Sequence, residues 1–201
     1  MEPCLRWLAA LALACTTHAC AGGTVAQPDA KADAPASISA TAPTVEELKN
    51  ATYAGLDEQV GPVTLTNGRW AGAPYAGGAA SRPVVELADE SRIVGDLDGD
   101  RPDEAVVLLS WRPGGTGTFW FLAVVTRTNG SLRNVATAAL GDRTQVRSVR
   151  IEGGRLLVSA VRVGASDPAC CPSELVEWQW TLGNGRLNPV GTERPGPAPA
   201  R

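Results

Sequence analysis

Histidine, methionine and lysine are almost absent from this 201-residue chain, and their scarcity excludes several kinds of chemistry. The only histidine, His18, and the only methionine, Met1, lie in a segment that is typical of an export signal. The processed protein would therefore lack Ser-His-Asp and Cys-His catalysis, imidazole zinc sites and thioether copper sites. The only lysines, Lys31 and Lys49, precede the body of the chain, which excludes Schiff-base and P-loop lysine chemistry.

The N-terminus predicts export and a lipid anchor. A weak positive region and a short apolar stretch precede the small residues around Cys20, and the stretch is too short for a permanent bilayer span. Residues 1–20 are therefore interpreted as a lipoprotein signal, with Cys20 as the lipidated first residue of the mature chain. The alternative is an ordinary cleaved signal that releases a soluble protein. Either way we expect a location in the periplasm or at the cell surface, and the lipid would make the membrane a partner.

Composition divides the remainder of the chain. Residues 21–43 are rich in small and polar residues and are expected to form a disordered tether, because they cannot bury enough apolar surface to offset their ordering entropy. Residues 44–194 would form a single β-rich domain, and residues 195–201 a disordered tail. The net charge is −3 and the arginines are scattered, which argues against nucleic acid as a partner.

Turn signals and apolar periodicity predict the fold class. Thr44 and Glu47 have the spacing of a capping box, so we expect one short N-terminal helix that continues to about Tyr53. The rest is expected to be a mainly β, antiparallel meander, a barrel or a sandwich, with eight strands separated by turns. Asn-Gly pairs and a Gly-Gly pair mark the hairpins, at 67–68, 129–130, 153–154 and 184–185. The predicted strands are 63–66, 84–87, 105–111, 119–126, 133–139, 145–151, 156–163 and 175–182. Runs 105–109 and 119–125 are apolar at nearly every position, which is typical of central strands covered on both faces.

An acidic loop precedes one of these central strands and suggests a site for a hard cation. Calcium loops place oxygen ligands at alternate positions, so the candidate ligands of Ca²⁺ are Asp96, Asp98, Asp100, the carbonyl of Pro102, and Glu104. The sixth place usually holds glycine, and this chain has arginine at position 101. The alternative is a turn without an ion, in which Arg82, Arg92 or Arg101 neutralises the carboxylates.

Two adjacent cysteines raise a second question. If Cys20 is lipidated, Cys170 and Cys171 are the only cysteines of the mature chain in an oxidising compartment, where thiols tend to pair. Their Cα atoms should lie about 3.8 Å apart, below the roughly 4.4 to 6.8 Å usual for a disulfide, so a vicinal bond would be strained. The flanking Pro168 and Pro172 place the pair in a turn that favours such a ring. Reduced thiols, intermolecular bridges and soft-metal binding remain open alternatives.

Four motifs in order resemble those of uncharacterised bacterial envelope lipoproteins. They are Gly95–Asp100 with Asp103–Val107, Gly114–Phe119, Leu140–Arg143 and Asp167–Pro172. Similar domains precede META-type modules, and the acidic loop alone is similar to the calcium loops of FG-GAP repeats. A single copy does not imply a propeller, which needs several. The resemblance implies an envelope location and no established activity.

Two classes of function follow. The preferred one is a non-catalytic binding or structural domain, anchored by lipid, whose partner is an envelope protein or ligand that the sequence does not identify. The alternative is a hydrolase that uses paired carboxylates on envelope or extracellular polysaccharide. Carboxylates that face each other across an apolar cleft would favour the enzyme, and carboxylates on solvent-facing turns the binding domain. Five tryptophans are interpreted as core residues rather than as a sugar-stacking platform, namely Trp70, Trp111, Trp120, Trp178 and Trp180.

Overall fold

A computed structural model describes residues 41–88, 92–100, 102–191 and 194–197, the last of these as backbone only. The predicted signal with Cys20, most of the predicted tether and Arg101 lie outside the described residues. One helix and thirteen strands occur in the described part of the chain. They are α1 (Val45–Leu48), β1 (Thr52–Tyr53), β2 (Val63–Thr64), β3 (Arg69–Ala71), β4 (Val84–Leu87), β5 (Ile93–Gly95), β6 (Glu104–Arg112), β7 (Phe119–Thr128), β8 (Ser131–Asp142), β9 (Gln145–Glu152), β10 (Arg155–Arg162), β11 (Glu174–Gly183), β12 (Arg186–Pro189) and β13 (Arg194–Pro197).

The predicted capping box is confirmed, but α1 is shorter than expected. Oγ1 of Thr44 accepts a hydrogen bond from the backbone N–H of Glu47, and the Glu47 carboxylate accepts one from the backbone N–H of Thr44. The prediction that the helix continues to about Tyr53 is wrong, because α1 ends at Leu48. The Asn50 side chain donates to the carbonyl of Glu46 at 2.9 Å, which satisfies one group of the last turn. The chain then enters β1, which pairs with β2.

The strands form antiparallel sheets, as predicted. The larger sheet has the order β3-β4-β6-β7-β8, with β5 paired to the first part of β6. The second sheet has the order β12-β11-β10-β9, and β13 pairs with β11. Within the described residues neither sheet closes into a barrel. Residues 195–197 belong to β13 and pair with β11, whereas the composition of 195–201 predicted a disordered tail.

The predicted turn signals are confirmed by the backbone. Asn67, Asn129 and Asn184 have positive φ angles, as do the glycines that follow them. Positive φ at both central residues is the geometry of a type I′ turn, whose twist matches that of the flanking strands. Gly153 and Gly154 make the equivalent turn between β9 and β10.

Two apolar clusters lie on opposite faces of the larger sheet. One contains the alternate residues Ala105, Val107 and Leu109 of β6 together with residues of α1, β1 and β2. The other contains Val106 of β6 together with Leu156, Val158 and Trp180 of the second sheet. The central part of β6 is therefore buried on both faces, as its continuous apolar run predicts. The same alternation assigns Glu104, Ser110 and Arg112 to the face that carries Val106.

Candidate metal centre

The acidic loop connects β5 to β6 and is held at its base by the second sheet. Gly95 pairs with Glu104, so residues 96–103 close a β-hairpin. A Cβ at position 95 would lie 2.9 Å from Cγ2 of Ile151 in β9, so only glycine fits this close approach. The side chain of Leu97 is 3% exposed and belongs to the cluster shared by the two sheets. Leu97 thus anchors the loop, and the carboxylates of Asp96, Asp98 and Asp100 lie at alternate positions of the loop.

Local hydrogen bonds set the shape of the loop. The backbone N–H of Gly99 donates to Oδ1 of Asp96 at 2.6 Å, and that of Asp100 donates to Oδ1 of Asp98 at 3.2 Å. Gly99 has φ +86°, which a residue with a side chain rarely adopts. Gly99 lies two places before position 101, where calcium loops usually have glycine and this chain has arginine.

Glu104 differs from the other acidic residues because it is fully buried. It begins β6, and its side chain is 0% exposed. Oε2 accepts a hydrogen bond from the backbone N–H of Leu97 at 2.9 Å. Oε1 is also buried and has no hydrogen-bond partner in the described part of the chain. An unpaired buried carboxylate oxygen is costly and is expected to have a partner, such as water or an ion.

The loop brings three of the predicted ligands together. Asp96, Asp98 and Glu104 each offer a carboxylate oxygen, and these three oxygens all lie within 4.8 Å of one another. Calcium binds oxygens at 2.3–2.6 Å, so two ligands on opposite sides of one ion are separated by roughly 4.6–5.2 Å. The three carboxylates therefore have the spacing of ligands that share one cation. Asp100 and Pro102 are in the same loop, but the cluster does not include the Asp100 carboxylate.

Electrostatics at the cluster favours a positive ligand. Burial raises the pKa of Glu104, and the charges of Asp98 and Asp100 act in the same direction. The N–H of Leu97 opposes the rise, as does the hydroxyl of Thr126, which lies near the carboxylate without the geometry of a hydrogen bond. The negative charge of Asp98 is the main reason that the pKa of Asp100 is raised. Burial is the main cause at Glu104, but the charge contributions at both residues reflect an excess of negative charge, which a bound cation would offset.

Arg82 and Arg92, two of the arginines proposed as an alternative to the ion, both lie within the described residues and form no ion pair with this cluster. Ion pairs among residues 41–88, 92–100 and 102–191 include none of Asp96, Asp98 and Glu104. Nε of Arg92 instead donates to the carbonyl of Pro43 at 2.5 Å. Of the three arginines named from the sequence, Arg101 alone lies outside the described residues.

There is room for solvent beside the cluster. A cavity of about 140 Å³ is lined by Asp98 and by Gly183–Gly185 of the β11–β12 turn. This volume exceeds the roughly 30 Å³ that one water occupies in the liquid, so several waters fit. Calcium takes six to eight oxygen ligands, and waters in this cavity could complete a set begun by three carboxylates.

The adjacent cysteines lie in the loop between β10 and β11, away from the acidic cluster in sequence. Both are exposed, and their sulfurs lie 2.6 Å apart. The carboxylate of Asp167 organises this loop by accepting hydrogen bonds from Gly164 and Ser173, which lower the pKa of Asp167. The vicinal disulfide between Cys170 and Cys171 remains a prediction.

The sequence did not show that Glu104 is buried or that one of its oxygens is unpaired. The signal was its position directly before the apolar run 105–109, because a residue at the start of a central strand shares the burial of that strand. Among the helices of the described residues, none has the length and apolarity that a membrane crossing requires. Comparisons with protein-family models, curated proteins and solved structures found no match to this chain.

Proposed function

We propose that this protein is an exported, lipid-anchored envelope protein whose β domain binds Ca²⁺ at Asp96, Asp98 and Glu104 and serves as a non-catalytic binding or structural domain. The observation that carries the calcium site is the buried Glu104 carboxylate, which has one unpaired oxygen and belongs to a cluster of three carboxylates. A buried carboxylate that is only partly hydrogen-bonded is unfavourable, and a cation that binds all three groups would reduce that cost.

The donor set favours calcium over other biological cations. All three donors are carboxylate oxygens, which suit hard cations rather than zinc or copper. Magnesium usually binds through one or two carboxylates and keeps several waters in a strict octahedron, whereas calcium accepts irregular geometry and more protein ligands. Asp100 and the carbonyl of Pro102, predicted as further ligands, follow Asp98 in the same loop and are proposed to join or surround the ion.

The proposed role of the ion is structural. The loop lies at the end of the β5–β6 hairpin, and Gly95 of that hairpin contacts Ile151 of the second sheet. We interpret the two sheets, which share one apolar cluster, as a sandwich-like arrangement. An ion at the acidic loop would fix the start of β6 against the second sheet and so rigidify the edge of this arrangement.

The exposure of the carboxylates favours a binding domain over a hydrolase. Asp96 and Asp98 are exposed on a turn, whereas Glu104 is 0% exposed and has no surface that a polysaccharide could reach. A catalytic acid must come within hydrogen-bond distance of the bond that it cleaves. The pair of facing carboxylates across an apolar cleft, which a glycosidase would need, is not the arrangement around Glu104.

Export and lipidation rest on the sequence around Cys20. Mass spectrometry of the native protein from membranes is expected to show diacylglycerol on Cys20. A soluble protein with an unmodified N-terminus near Gly22 would contradict this part of the proposal and leave the calcium site unaffected.

Isothermal titration calorimetry tests the calcium site. The chelator-treated protein is expected to bind one Ca²⁺ per chain, and Asp98→Ala to abolish that binding. Asp98 is exposed, so its replacement should not unfold the domain. Asp100→Asn distinguishes the cluster of three from the loop of five ligands, because it should retain binding with an affinity reduced by about tenfold or less. Unchanged binding by Asp98→Ala, or no binding at millimolar Ca²⁺, would contradict the proposal.

A further inference from the structure

A second polar region lies at the opposite end of β6. Glu104 begins this strand and Arg112 ends it, on the same face of the sheet. The two residues are eight positions apart along the strand, so the two regions are roughly 26 Å apart. An open groove of about 890 Å³ lies at the Arg112 end, and its lining residues include Lys49, Arg69, Glu86, Ser110, Arg112 and Trp120. Its volume is within the range of small-molecule sites, roughly 300–1,000 Å³.

The register of the larger sheet explains how these side chains meet. Arg69 is opposite Glu86, Glu86 is opposite Ser110, and Ser110 is opposite Trp120, so one row crosses four strands. Residues directly opposite each other in antiparallel strands project from the same face of the sheet. Next along the same face is Arg112, which is opposite Val84. The groove is therefore lined by rigid strands rather than by mobile loops.

The charges in the groove form an organised but incompletely neutralised set. Glu86 binds two arginines, with Nε of Arg69 at 3.0 Å from one oxygen and Nη2 of Arg112 at 2.6 Å from the other. Lys49 forms no ion pair with any described residue. Three cations and one carboxylate give the described lining an excess of two positive charges, in a chain whose net charge is −3. Such a local excess attracts anions.

Both arginines retain donors for a ligand. Each guanidinium has five N–H groups, and Glu86 uses one nitrogen of each. The carboxylate of Glu86 thereby orients two planar donors whose other N–H groups are available to an anionic oxygen pair. Arginine binds carboxylate and phosphate in this two-point manner.

Trp120 adds a flat apolar surface beside these donors. The pairing of β7 with β8 shifts at Trp120, which is opposite Gly141, a residue with no side chain to cover the indole. Bulges of this kind redirect side chains, often next to binding sites. The interpretation of Trp120 as a core residue is confirmed only in part, since it packs against the apolar cluster and also lines the groove. Ser110 and Asn67 line the same groove, and side chains of these two types can bind hydroxyl groups.

We propose that this groove binds an anionic saccharide, in which Arg69 and Arg112 bind the carboxylate or phosphate and the sugar ring stacks on Trp120. The excess of positive charge in the groove favours an anionic group. The indole with its polar neighbours favours a ring that has one apolar face and several hydroxyls. This site is independent of the proposed calcium site.

Calorimetric titration of the full chain tests the inference with three probes, namely glucuronic acid, glucose 1-phosphate and glucose. We expect at least one acidic sugar to bind with a Kd of about 1 mM or below, and glucose to bind about tenfold more weakly or not at all. A preference for glucuronic acid would identify a carboxylate ligand, and a preference for glucose 1-phosphate a phosphate ligand. Arg112→Gln should weaken binding by about tenfold or more, and Arg69→Gln provides a second variant.

Arg150→Gln is the matched control. Arg150 is 51% exposed and paired with Glu152, much as Arg69 is 53% exposed and paired with Glu86, but it lies outside the groove. It should bind the acidic sugar as the wild type does. Failure of both acidic sugars to bind, equal binding of glucose, or wild-type affinity in Arg69→Gln and Arg112→Gln would overturn the inference. Calcium binding would be unaffected by any of these results.

Discussion

Glu104→Gln should separate the cost of burying this carboxylate from the benefit of binding an ion. Without calcium, the three carboxylate oxygens lie within 4.8 Å of one another, and two charges at that distance repel by about 1 kcal/mol even in water. The unpaired Oε1 adds the desolvation cost of a buried acceptor, about 1–3 kcal/mol. The amide of glutamine keeps the size of the side chain and the hydrogen bond from Leu97. Its NH₂ group can donate to the neighbouring carboxylates.

Glu104→Gln should therefore keep or raise the melting midpoint in chelator and lower it, relative to the wild type, in calcium. In chelator, the variant should melt at the same temperature as the wild type or higher. A saturating ion that binds only the folded state adds RT ln(1 + [L]/Kd), about 2.7 kcal/mol at a hundredfold excess over Kd. At about 2–4 °C per kcal/mol for a domain of this size, calcium should raise the wild-type midpoint by roughly 5–11 °C. It should leave Glu104→Gln almost unchanged.

Differential scanning calorimetry of both proteins, with chelator and with calcium, measures these four midpoints. Glu177→Gln is the control, because it makes the same substitution at an exposed position of β11 and should keep the calcium shift. If Glu104→Gln melts several degrees lower in chelator and still responds to calcium, the buried carboxylate stabilises the fold without an ion, and the reasoning is refuted.

Three further predictions concern other parts of the chain. Glu47 pairs with the nearly buried Arg127, and a backbone hydrogen bond from Thr44 together with this arginine lowers the pKa of Glu47 from 4.5 to about 2. The ion pair therefore stabilises the fold at neutral pH. Glu47→Gln should melt at a lower temperature than the wild type at neutral pH, and this difference should narrow as the pH falls from 4.5 and vanish near 2. The Asn134 side chain binds the backbone of β7, β8 and the residue after β1, so Asn134→Ala should lower the free energy of unfolding in urea by about 2–4 kcal/mol, and an unchanged midpoint would contradict this role. Oxidised monomer should carry a disulfide between Cys170 and Cys171, and non-reducing peptide mapping that finds two alkylatable thiols, or a dimer dissolved by reductant, would contradict it.

The long strands were predictable because their signals are local. The apolar runs of β6 and β7 predicted strands covered on both faces, and both strands alternate between the two apolar clusters. Val176, Trp178, Trp180 and Leu182 alternate along β11; the last three belong to or pack against the cluster shared by the sheets, and Val176 is fully buried. Asparagine and glycine at the turns predicted positive φ angles, which the backbone shows at each pair.

The short strands were not predictable in the same way. β1, β3 and β5 have two or three residues each, and each is defined by its partner rather than by its own periodicity. β12 and β13 contain prolines and pair at the edge of β11. Proline has no backbone N–H to donate, so a sequence that contains proline argues against a strand. Pairing at the edge of a sheet nevertheless permits such a strand.

The candidate site was predictable in its residue types but not in its geometry. Alternating carboxylates at Asp96 and Asp98 indicated a cation loop, and these two residues do lie with Glu104 in one cluster. The spacing also selected Asp100, whose carboxylate is not in that cluster. The groove that contains Arg112 and Trp120 was not predicted, because its side chains come from separate strands that only the register of the sheet brings together.

A crystal structure of the protein grown with calcium chloride tests the central claim most directly. The account predicts an anomalous difference peak at the acidic loop, with oxygens of Asp96, Asp98 and Glu104 about 2.3–2.6 Å from the ion. Waters in the cavity beside Asp98 should complete the coordination. A loop without such a peak, in which a side chain such as Arg101 pairs with Oε1 of Glu104, would contradict the account and establish an arginine-neutralised turn.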